Sequence, residues 1–364
     1  MMKGEEGKMS NLKNKKTIKV GINGFGRIGR IFTRLWLEDT LENKQTFEIV
    51  GINDLLSIEE MIYLLKYDSA HGKLDPRKYA INKDNENGIN INQHAIQVTH
   101  CKNPKEIPWA SLGVDVVLES TGFFLTKEAA SGHLEAKAKY VIISAPAKEE
   151  TIPTFVMGVN HEKFNPQSDL IISNASCTTN CLAPLVKILE DNFGIQEALM
   201  STIHALTASQ KIVDGPGGKD FCAGRSAFVN IAPASTGAAK AVGLVLPHLK
   251  GKITGSSFRV PVVDGSVVDL TVKLKKETTL DQITKVIENV RNDPKNPMMK
   301  DIVDICKDPI VSSDILGDTH SCIFDPHASI QLNSQFFKLV AWYDNEMGYS
   351  CRLKDLIGYI AEKI

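Results

Sequence analysis

No stretch of this 364-residue chain approaches the roughly 20 consecutive apolar residues that a membrane-spanning helix requires, so the sequence offers no spanning segment. Net charge is also nearly missing: 42 Lys and Arg oppose 43 Asp and Glu, for a formal charge of -1. That balance gives no electrostatic reason to expect nucleic acid or an anionic membrane surface as a partner. A disulfide framework is absent too. The seven cysteines are scattered at 101, 177, 181, 222, 306, 322 and 351. An odd number without regular spacing fits a reducing compartment, and the cytoplasm is the expected location. Cys177 and Cys181 are four apart rather than at the two-residue spacing of zinc or redox pairs, and no Cys/His cluster follows. No metal site is expected. Residues 1–16 have neither an apolar core nor an Arg, which excludes a secretory signal and reads as a disordered extension.

What remains is an ordinary globular composition, 43% hydrophobic and 23% charged, on a chain long enough for two domains. The first has a nucleotide-binding pattern. Ile18-Lys19-Val20-Gly21-Ile22-Asn23 is a buried-strand run, followed at once by Gly24-Phe25-Gly26-Arg27-Ile28-Gly29 and a helix-like stretch over 30–38. Glycines in this spacing also serve ordinary turns; a strand before and a helix after is the context that makes them a dinucleotide fingerprint. Gly24 and Gly26 would let the backbone turn and approach a pyrophosphate, and Gly29 would let helix and strand pack closely. A second strand, 47–52, ends in Asn53-Asp54. An acid there holds ribose hydroxyls and repels a 2′-phosphate, so Asp54 argues for NAD over NADP. Strands over 114–119 and 140–144 end in small or polar residues, which line the ligand crevice of a doubly wound sheet. The irregular, polar run 68–108, with a turn at 85–88, reads as excursions carrying short antiparallel strands.

The second half centres on Ser176-Cys177-Thr178-Thr179-Asn180-Cys181, where a short strand over 169–175 hands over to a helix expected over 182–192. The unpaired N–H groups and dipole of a helix start favour thiolate, which a nucleophilic cysteine needs. The same position also suits an inert packing cysteine. A strand over 198–203 then ends in His204, either a structural histidine or a base for the thiol. Farther on, 258–263 and 266–272 read as antiparallel strands joined by an Asp264-Gly265 turn, followed by helices at 280–291 and 352–363.

Several strings together resemble phosphorylating glyceraldehyde-3-phosphate dehydrogenases from Thr17 to the C-terminus. They are 22–30 with its glycines, Lys66-Tyr67-Asp68-Ser69, 174–184 around Cys177, 234–242 with Thr236-Gly237, Phe258-Arg259-Val260-Pro261 and Trp342-Tyr343-Asp344-Asn345-Glu346. The resemblance implies an α/β plus α+β architecture. A Rossmann-like doubly wound NAD domain (17–175) would join a catalytic and oligomerisation domain on an antiparallel or mixed sheet (176–341), with a C-terminal segment (342–364) returning to the NAD domain. It implies Cys177 as the nucleophile, forming a hemithioacetal and then a thioester, and His204 as its base and oxyanion stabiliser. Thr207 and Arg259 would hold the phosphate of glyceraldehyde 3-phosphate. Ser176, Thr178, Thr236 and Gly237 would hold the attacking inorganic phosphate. For NAD it points to Gly24, Gly26, Arg27, Ile28, Gly29, Asp54, Lys102, Ser144 and Asn345. A homotetramer acting in glycolysis or gluconeogenesis is the implied setting.

The sequence departs from that pattern in three places. Phe221-Cys222 stands where the family has Trp-Arg, and a cysteine cannot replace the charge of a phosphate-binding arginine. Lys102 replaces an Arg near the adenine, and Met347 replaces a bulky aromatic. Two further readings are compatible with the fold: oxidation of erythrose 4-phosphate by the same Cys/His chemistry, and a non-catalytic redox-sensing protein. The presence of Cys177, His204 and Arg259 together favours a catalyst.

Overall fold

The computed structural model describes residues 17–84, 87–218 and 220–364. The expected extension, 1–16, and part of the turn at 85–88 lie outside them. In chain order the first half comprises β1 (Ile18–Asn23), α1 (Arg27–Leu41), β2 (Phe47–Asn53), α2 (Ile58–Lys66), β3 (Ile81–Asp84), β4 (Gly88–Ile91), β5 (His94–Thr99), α3 (Trp109–Leu112), β6 (Val116–Glu119), α4 (Lys127–Glu135), β7 (Tyr140–Ile143) and β8 (Ile171–Ser173). These strands form one sheet in the order β3-β4-β5-β2-β1-β6-β7-β8. β1 runs parallel to both β2 and β6, so strand order reverses around β1, and the C-terminal ends of β1 and β6 open the crevice where such sheets bind ligands. The excursion carries the antiparallel ribbon β3-β4-β5, the short antiparallel strands expected in this irregular, polar run. Strands buried on both faces explain the near-continuous apolar runs: Val20 and Ile22 pack with Phe32 and Trp36 of α1, while Val117 meets Trp109 on the other side.

The second half comprises α5 (Cys177–Phe193), β9 (Ile195–His204), β10 (Ala232–Ala234), α6 (Ala238–Val245), β11 (Ile253–Arg259), β12 (Ser266–Leu274), α7 (Leu280–Arg291), α8 (Met299–Ile302), β13 (Val303–Ile305), β14 (Cys322–Gln331), β15 (Phe336–Tyr343) and α9 (Met347–Lys363). Its mixed sheet runs β10-β11-β9-β12-β15-β14-β13. Every second residue of β12 is buried and the others are half-buried; the buried face packs against Leu182, Leu185 and Leu189 of α5. α7 begins at a capping box in which Thr279 and Gln282 exchange bonds, the local signal that marks its start.

Two expectations need correction. The strands flanking Asp264-Gly265 are not a hairpin, because β9 lies between them, parallel to β11 and antiparallel to β12. β11 ends at Arg259, so Val260 to Val263 is a crossing segment rather than strand. The residues that bury β11 and β12 are set by β9, which lies far away in sequence and whose pairing no local pattern encodes. The final helix also starts earlier than expected, at Met347, and packs Met347 and Cys351 on Ile31 and Leu35 of α1. Lys354 adds an ion pair to Asp39 at 2.9 Å, tying the C-terminus to the first sheet's side of the molecule. Among the described residues, no helix is long and apolar enough to cross a membrane.

Candidate active site

The nucleotide cleft is made mostly of backbone. Gly24 has φ +96, and a side chain there would meet the backbone of Thr121 at 2.7 Å. A Cβ on Gly29 would sit 2.4 Å from the Gly24 carbonyl, so only glycine lets α1 start so close to β1. At Gly26 a Cβ would meet open space. Gly26 is also the N-cap of α1, which has no side-chain cap and no acid in its first turn. Those helix-start N–H groups are therefore left for an anion, and a dinucleotide's pyrophosphate fits that need. Asp54, Leu55, Lys102, Ser120 and Thr121 line the same cleft. The Asp54 carboxylate accepts the Phe25 N–H (2.6 Å) and the Leu56 N–H (2.9 Å), bracing the glycine loop against the end of β2. Ser144, half-buried at the end of β7, donates its N–H to the Glu119 carbonyl.

Beneath the cleft lies a buried polar network absent from the sequence reading. Asn23 Nδ2 donates to Glu119 Oε2 (2.6 Å), and Asn53 Nδ2 to Asn23 Oδ1 (2.8 Å). Trp109 Nε1 donates to His133 Nδ1 (3.0 Å), which leaves His133 Nε2 as the donor to Glu119 Oε2 (3.0 Å). With Thr121 N–H and Oγ1 on Oε1, the Glu119 carboxylate collects four donors and holds the ends of β1, β2 and β6 in register.

The side chains of Arg27 and Ile28 do not line this cleft. Ile28 packs on the core. The Arg27 guanidinium is committed to Asp68 (2.5 Å) and, through two nitrogens, to Glu346. A cofactor role for Arg27 would therefore rest on its N–H at the first position of α1. His71 Nε2 lies 3.2 Å from both Asp264 and Glu346 in the same cluster. Burial works against the His71 charge, but the bonds to Asp264 and Glu346 win and push its pKa up to about 10. Burial, then the neighbouring Asp264, pushes Asp344 up to about 7. Arg27 and protonated His71 thus supply the positive charge that joins the glycine loop to the segment around Asn345. Asn345 itself is buried and accepts from Ser266 Oγ (2.6 Å), while Ser266 Oγ accepts the Ala205 N–H (3.0 Å).

Side chains from three distant stretches make the reactive centre. Ala175, just before the helix, has φ +57 without being glycine, a conformation that persists only where surrounding structure enforces it. Tyr349 Oη bonds its carbonyl (3.1 Å) and Ser173 Oγ its N–H (3.0 Å). This sharp turn places Cys177 first in α5, inside the helix rather than ahead of it, with Ser176 as N-cap accepting the Thr179 N–H at 3.1 Å. Cys177 Sγ then lies 3.4 Å from His204 Nε2 at the end of β9. Register puts Arg259 of β11 beside His204, with Nη1 2.6 Å from His204 Nδ1 and 3.1 Å from the Ala205 carbonyl. The same Nδ1 is 2.7 Å from that carbonyl. Nδ1 cannot both donate to Ala205 and accept from Arg259, so the position of Arg259 selects the tautomer.

Burial works against the expected thiolate. Burial pushes Cys177 up to about 11, against the opposing pull of Arg259 and of the Thr178 N–H and hydroxyl. Burial, then Arg259, pushes His204 down to about 4. Desolvation thus opposes the helix dipole and favours the neutral thiol and the neutral imidazole.

The expected phosphate residues are placed less uniformly. Thr178 is almost fully buried, its hydroxyl bonded to Tyr343 Oη (2.8 Å), which also holds Thr202 (2.9 Å). Of the pair only Ser176 is half-exposed, and its hydroxyl is bonded to Thr179 Oγ1 at 2.8 Å. Thr207 is exposed and bonded to Ser209 and Gln210. Thr236 Oγ1 accepts the Ala238 N–H (3.1 Å) beside exposed Gly237, where α6 starts. Cys222 and Arg225 line a small pocket with Arg259, and Arg225 is paired with Asp214 at 3.0 Å. Tyr343 and Ser266 were not foreseen; the only sequence hint was that Tyr343 falls inside a long recognisable string.

Comparison with known proteins agrees with this geometry. Residues 18–127 match the model of the glyceraldehyde 3-phosphate dehydrogenase NAD binding domain, and 176–345 match that of its C-terminal domain. A glyceraldehyde-3-phosphate dehydrogenase of Chlamydia muridarum is 52% identical over 344 residues, covering 94% of this chain and 98% of its own. Glyceraldehyde-3-phosphate dehydrogenase 1 of Trichormus variabilis is 52% identical over 347 residues, covering 95% and 97%. Glyceraldehyde-3-phosphate dehydrogenase 4 of Caenorhabditis elegans is 53% identical over 351 residues, covering 94% and 98%.

Proposed function

The chain belongs to the glyceraldehyde-3-phosphate dehydrogenase family, an NAD-dependent oxidoreductase, and from that premise we propose that it oxidises D-glyceraldehyde 3-phosphate to 1,3-bisphosphoglycerate through Cys177. The observation that carries the reading is the 3.4 Å contact between Cys177 Sγ and His204 Nε2, with Arg259 at hand for an anion. The Cys177 sulfur attacks the aldehyde carbon as its proton passes to His204 Nε2 and on to the new oxyanion, giving a hemithioacetal. His204 then takes the hydroxyl proton back as the C–H bond is lost, leaving a thioester. NAD, when bound in the cleft, supplies the hydride acceptor. Inorganic phosphate attacks the thioester, releasing the acyl phosphate and the thiol.

Arg259 links recognition to this chemistry. Facing His204 Nδ1, its guanidinium favours the tautomer with the proton on Nε2, which cannot accept from the thiol. A substrate phosphate drawing Arg259 away frees Nδ1 to donate to the Ala205 carbonyl and Nε2 to act as base. It also removes a positive charge that depresses the His204 pKa. The base is thereby switched on by the phosphate of the substrate it serves. The small pocket beside Arg259 holds Cys222 where a second guanidinium would be useful, and Arg225 is engaged by Asp214. We expect weak binding of the attacking phosphate.

Supporting a homotetramer, the segment 212–231 exposes Ile212, Val213, Phe221, Phe228, Val229 and Ile231, with Phe221 84% and Val229 77% accessible. So many large apolar groups on one segment mark a surface that another subunit covers. All seven cysteines are free thiols, which supports the cytoplasm as the compartment. The test is NADH formation from glyceraldehyde 3-phosphate, with and without phosphate, with NAD and with NADP. Phosphate-dependent turnover with NAD is expected. Preferential turnover of erythrose 4-phosphate would replace the substrate assignment, and no NADH from fresh, reduced protein would replace the enzyme by a redox-sensing binder.

A further inference from the structure

Cys181 lies one helical turn beyond Cys177 on α5, on the same helix face, and is fully buried. Its sulfur is 4.0 Å from the Ala341 carbonyl of β15, and it shares its buried core with Cys322, the first residue of β14, whose neighbouring thiol adds to burial in holding Cys181 protonated. Register explains the meeting. Phe324 sits opposite Ala341, so Cys322, two residues earlier, shares that buried face and falls level with Tyr343, whose Oη bonds Thr178 beside the nucleophile. Cys306 is near in sequence but excluded: it packs with Ile315 and Ile323 on the other face. The reactive thiol, its helical neighbour and a third thiol from a distant strand thus form a line running from the site into the core.

We propose that Cys181 and Cys322 form a second thiol pair that takes an oxidising equivalent from Cys177 and returns the catalytic thiol. The inference rests on Cys177 being the reactive thiol of the site. A peroxide oxidises Cys177 to sulfenic acid and is itself reduced to water or an alcohol. The Cys181 sulfur attacks the Cys177 sulfur; an S–S bond forms and hydroxide leaves, taking the Cys181 proton as water. The Cys322 sulfur then attacks the Cys181 sulfur; the Cys181–Cys322 bond forms, the Cys177–Cys181 bond breaks, and Cys177 takes the Cys322 proton. In sum, two thiols and one peroxide give one disulfide, one water and the reduced peroxide product. The direction follows from solvation. A disulfide is uncharged and suits the apolar core, whereas sulfenate or sulfinate at Cys177 would place charge in a site that already disfavours the thiolate. Burial keeps Cys181 protonated, so exchange is slow, in the range of minutes to hours, and speeds up as pH rises.

The experiment gives the reduced full-length enzyme one equivalent of hydrogen peroxide, removes the excess with catalase, and follows Cys177 without reductant. Iodoacetamide labelling and non-reducing peptide mapping are the readouts. In the native chain, Cys177 labelling should fall and then recover, with a Cys181–Cys322 linked peptide appearing in step. In Cys322→Ser the recovery should be slower by about tenfold or more, with the Cys177–Cys181 linkage or sulfinic acid persisting until that linkage is reduced by dithiothreitol. Cys322→Ala repeats the test should the hydroxyl disturb the core. Equal recovery with and without Cys322, or no Cys181–Cys322 peptide in the native chain, overturns the proposal. Full dehydrogenase activity of unoxidised Cys322→Ser would then leave the role of Cys177 standing, whereas unchanged labelling of Cys177 after peroxide would count against both.

Discussion

The nucleotide cleft and the Cys177 centre are built from different materials. The cleft uses backbone: a positive-φ glycine, a Cβ-free approach of α1 to β1, and uncapped N–H groups, all within 24–29. The reactive centre uses side chains from α5, β9 and β11, brought together by the packing of α5 on the second sheet and by the pairing of β9 with β11. A backbone site tolerates change in most side chains but not the addition of a Cβ at Gly24 or Gly29. A side-chain site tolerates nothing at its functional atoms, yet its scaffold can absorb much. Damage to the first should therefore appear in cofactor affinity, and damage to the second in turnover.

The largest effect is expected at the nucleophile. Cys177→Ser should lower kcat by about 10⁴-fold or more while leaving NAD affinity unchanged, measured by cofactor titration; a matching loss of affinity would erase the distinction between the two regions. His204→Gln should lower kcat by about 10²- to 10⁴-fold and slow alkylation of Cys177. Gly29→Ala works on the other side of the comparison. Its methyl would collide with the Gly24 carbonyl, so NAD KM should rise by about tenfold and stability fall by about 1–3 kcal/mol, with kcat at saturating NAD largely kept. A large kcat loss with unchanged KM would show that the cleft governs chemistry as well as binding.

The charged cluster bridging the two regions gives a pH prediction. The folded pKa of His71 is raised from 6.5 to about 10. Its contribution to stability is therefore complete below pH 6.5 and is lost as pH rises through 10. Thermal denaturation should show Tm falling across that window, and His71→Gln should flatten the fall while costing on the order of 3 kcal/mol at pH 6.5. The smallest change is expected for Cys222→Arg, which should lower the phosphate KM by about three- to tenfold through one charge-assisted bond, with the aldehyde KM unmoved. An unchanged phosphate KM would remove Cys222 from the account of that pocket.

The same contrast explains what could be read without a structure. Gly24, Gly26, Gly29 and Asp54 were legible because the order strand, glycine loop, helix, strand and acid is a local pattern, although the contacts of Gly24 with Thr121 and of Asp54 with Phe25 are not. Cys177 and His204 were legible as candidates, each at a strand–helix or strand end, but their contact was not, since it depends on α5 packing against the second sheet, and Arg259 joins them only through the pairing of β9 with β11. The supposed hairpin at Asp264-Gly265 failed for the same reason. The hydroxyl of Thr178 illustrates the limit of carrying a role over by position: Tyr343, 165 residues away, claims it. The expectation of a thiolate rested on the helix start, a local feature, and could not include burial, a tertiary quantity that opposes it.

The most direct test of the central claim is a single turnover without phosphate. Enzyme mixed with NAD and glyceraldehyde 3-phosphate should release close to one NADH per active site in a burst and then stop. Intact-protein and peptide mass spectrometry should find the acyl group on Cys177, and added phosphate should discharge it and restart turnover. Continued NADH formation without phosphate, or an acyl group on any residue other than Cys177, would contradict the account.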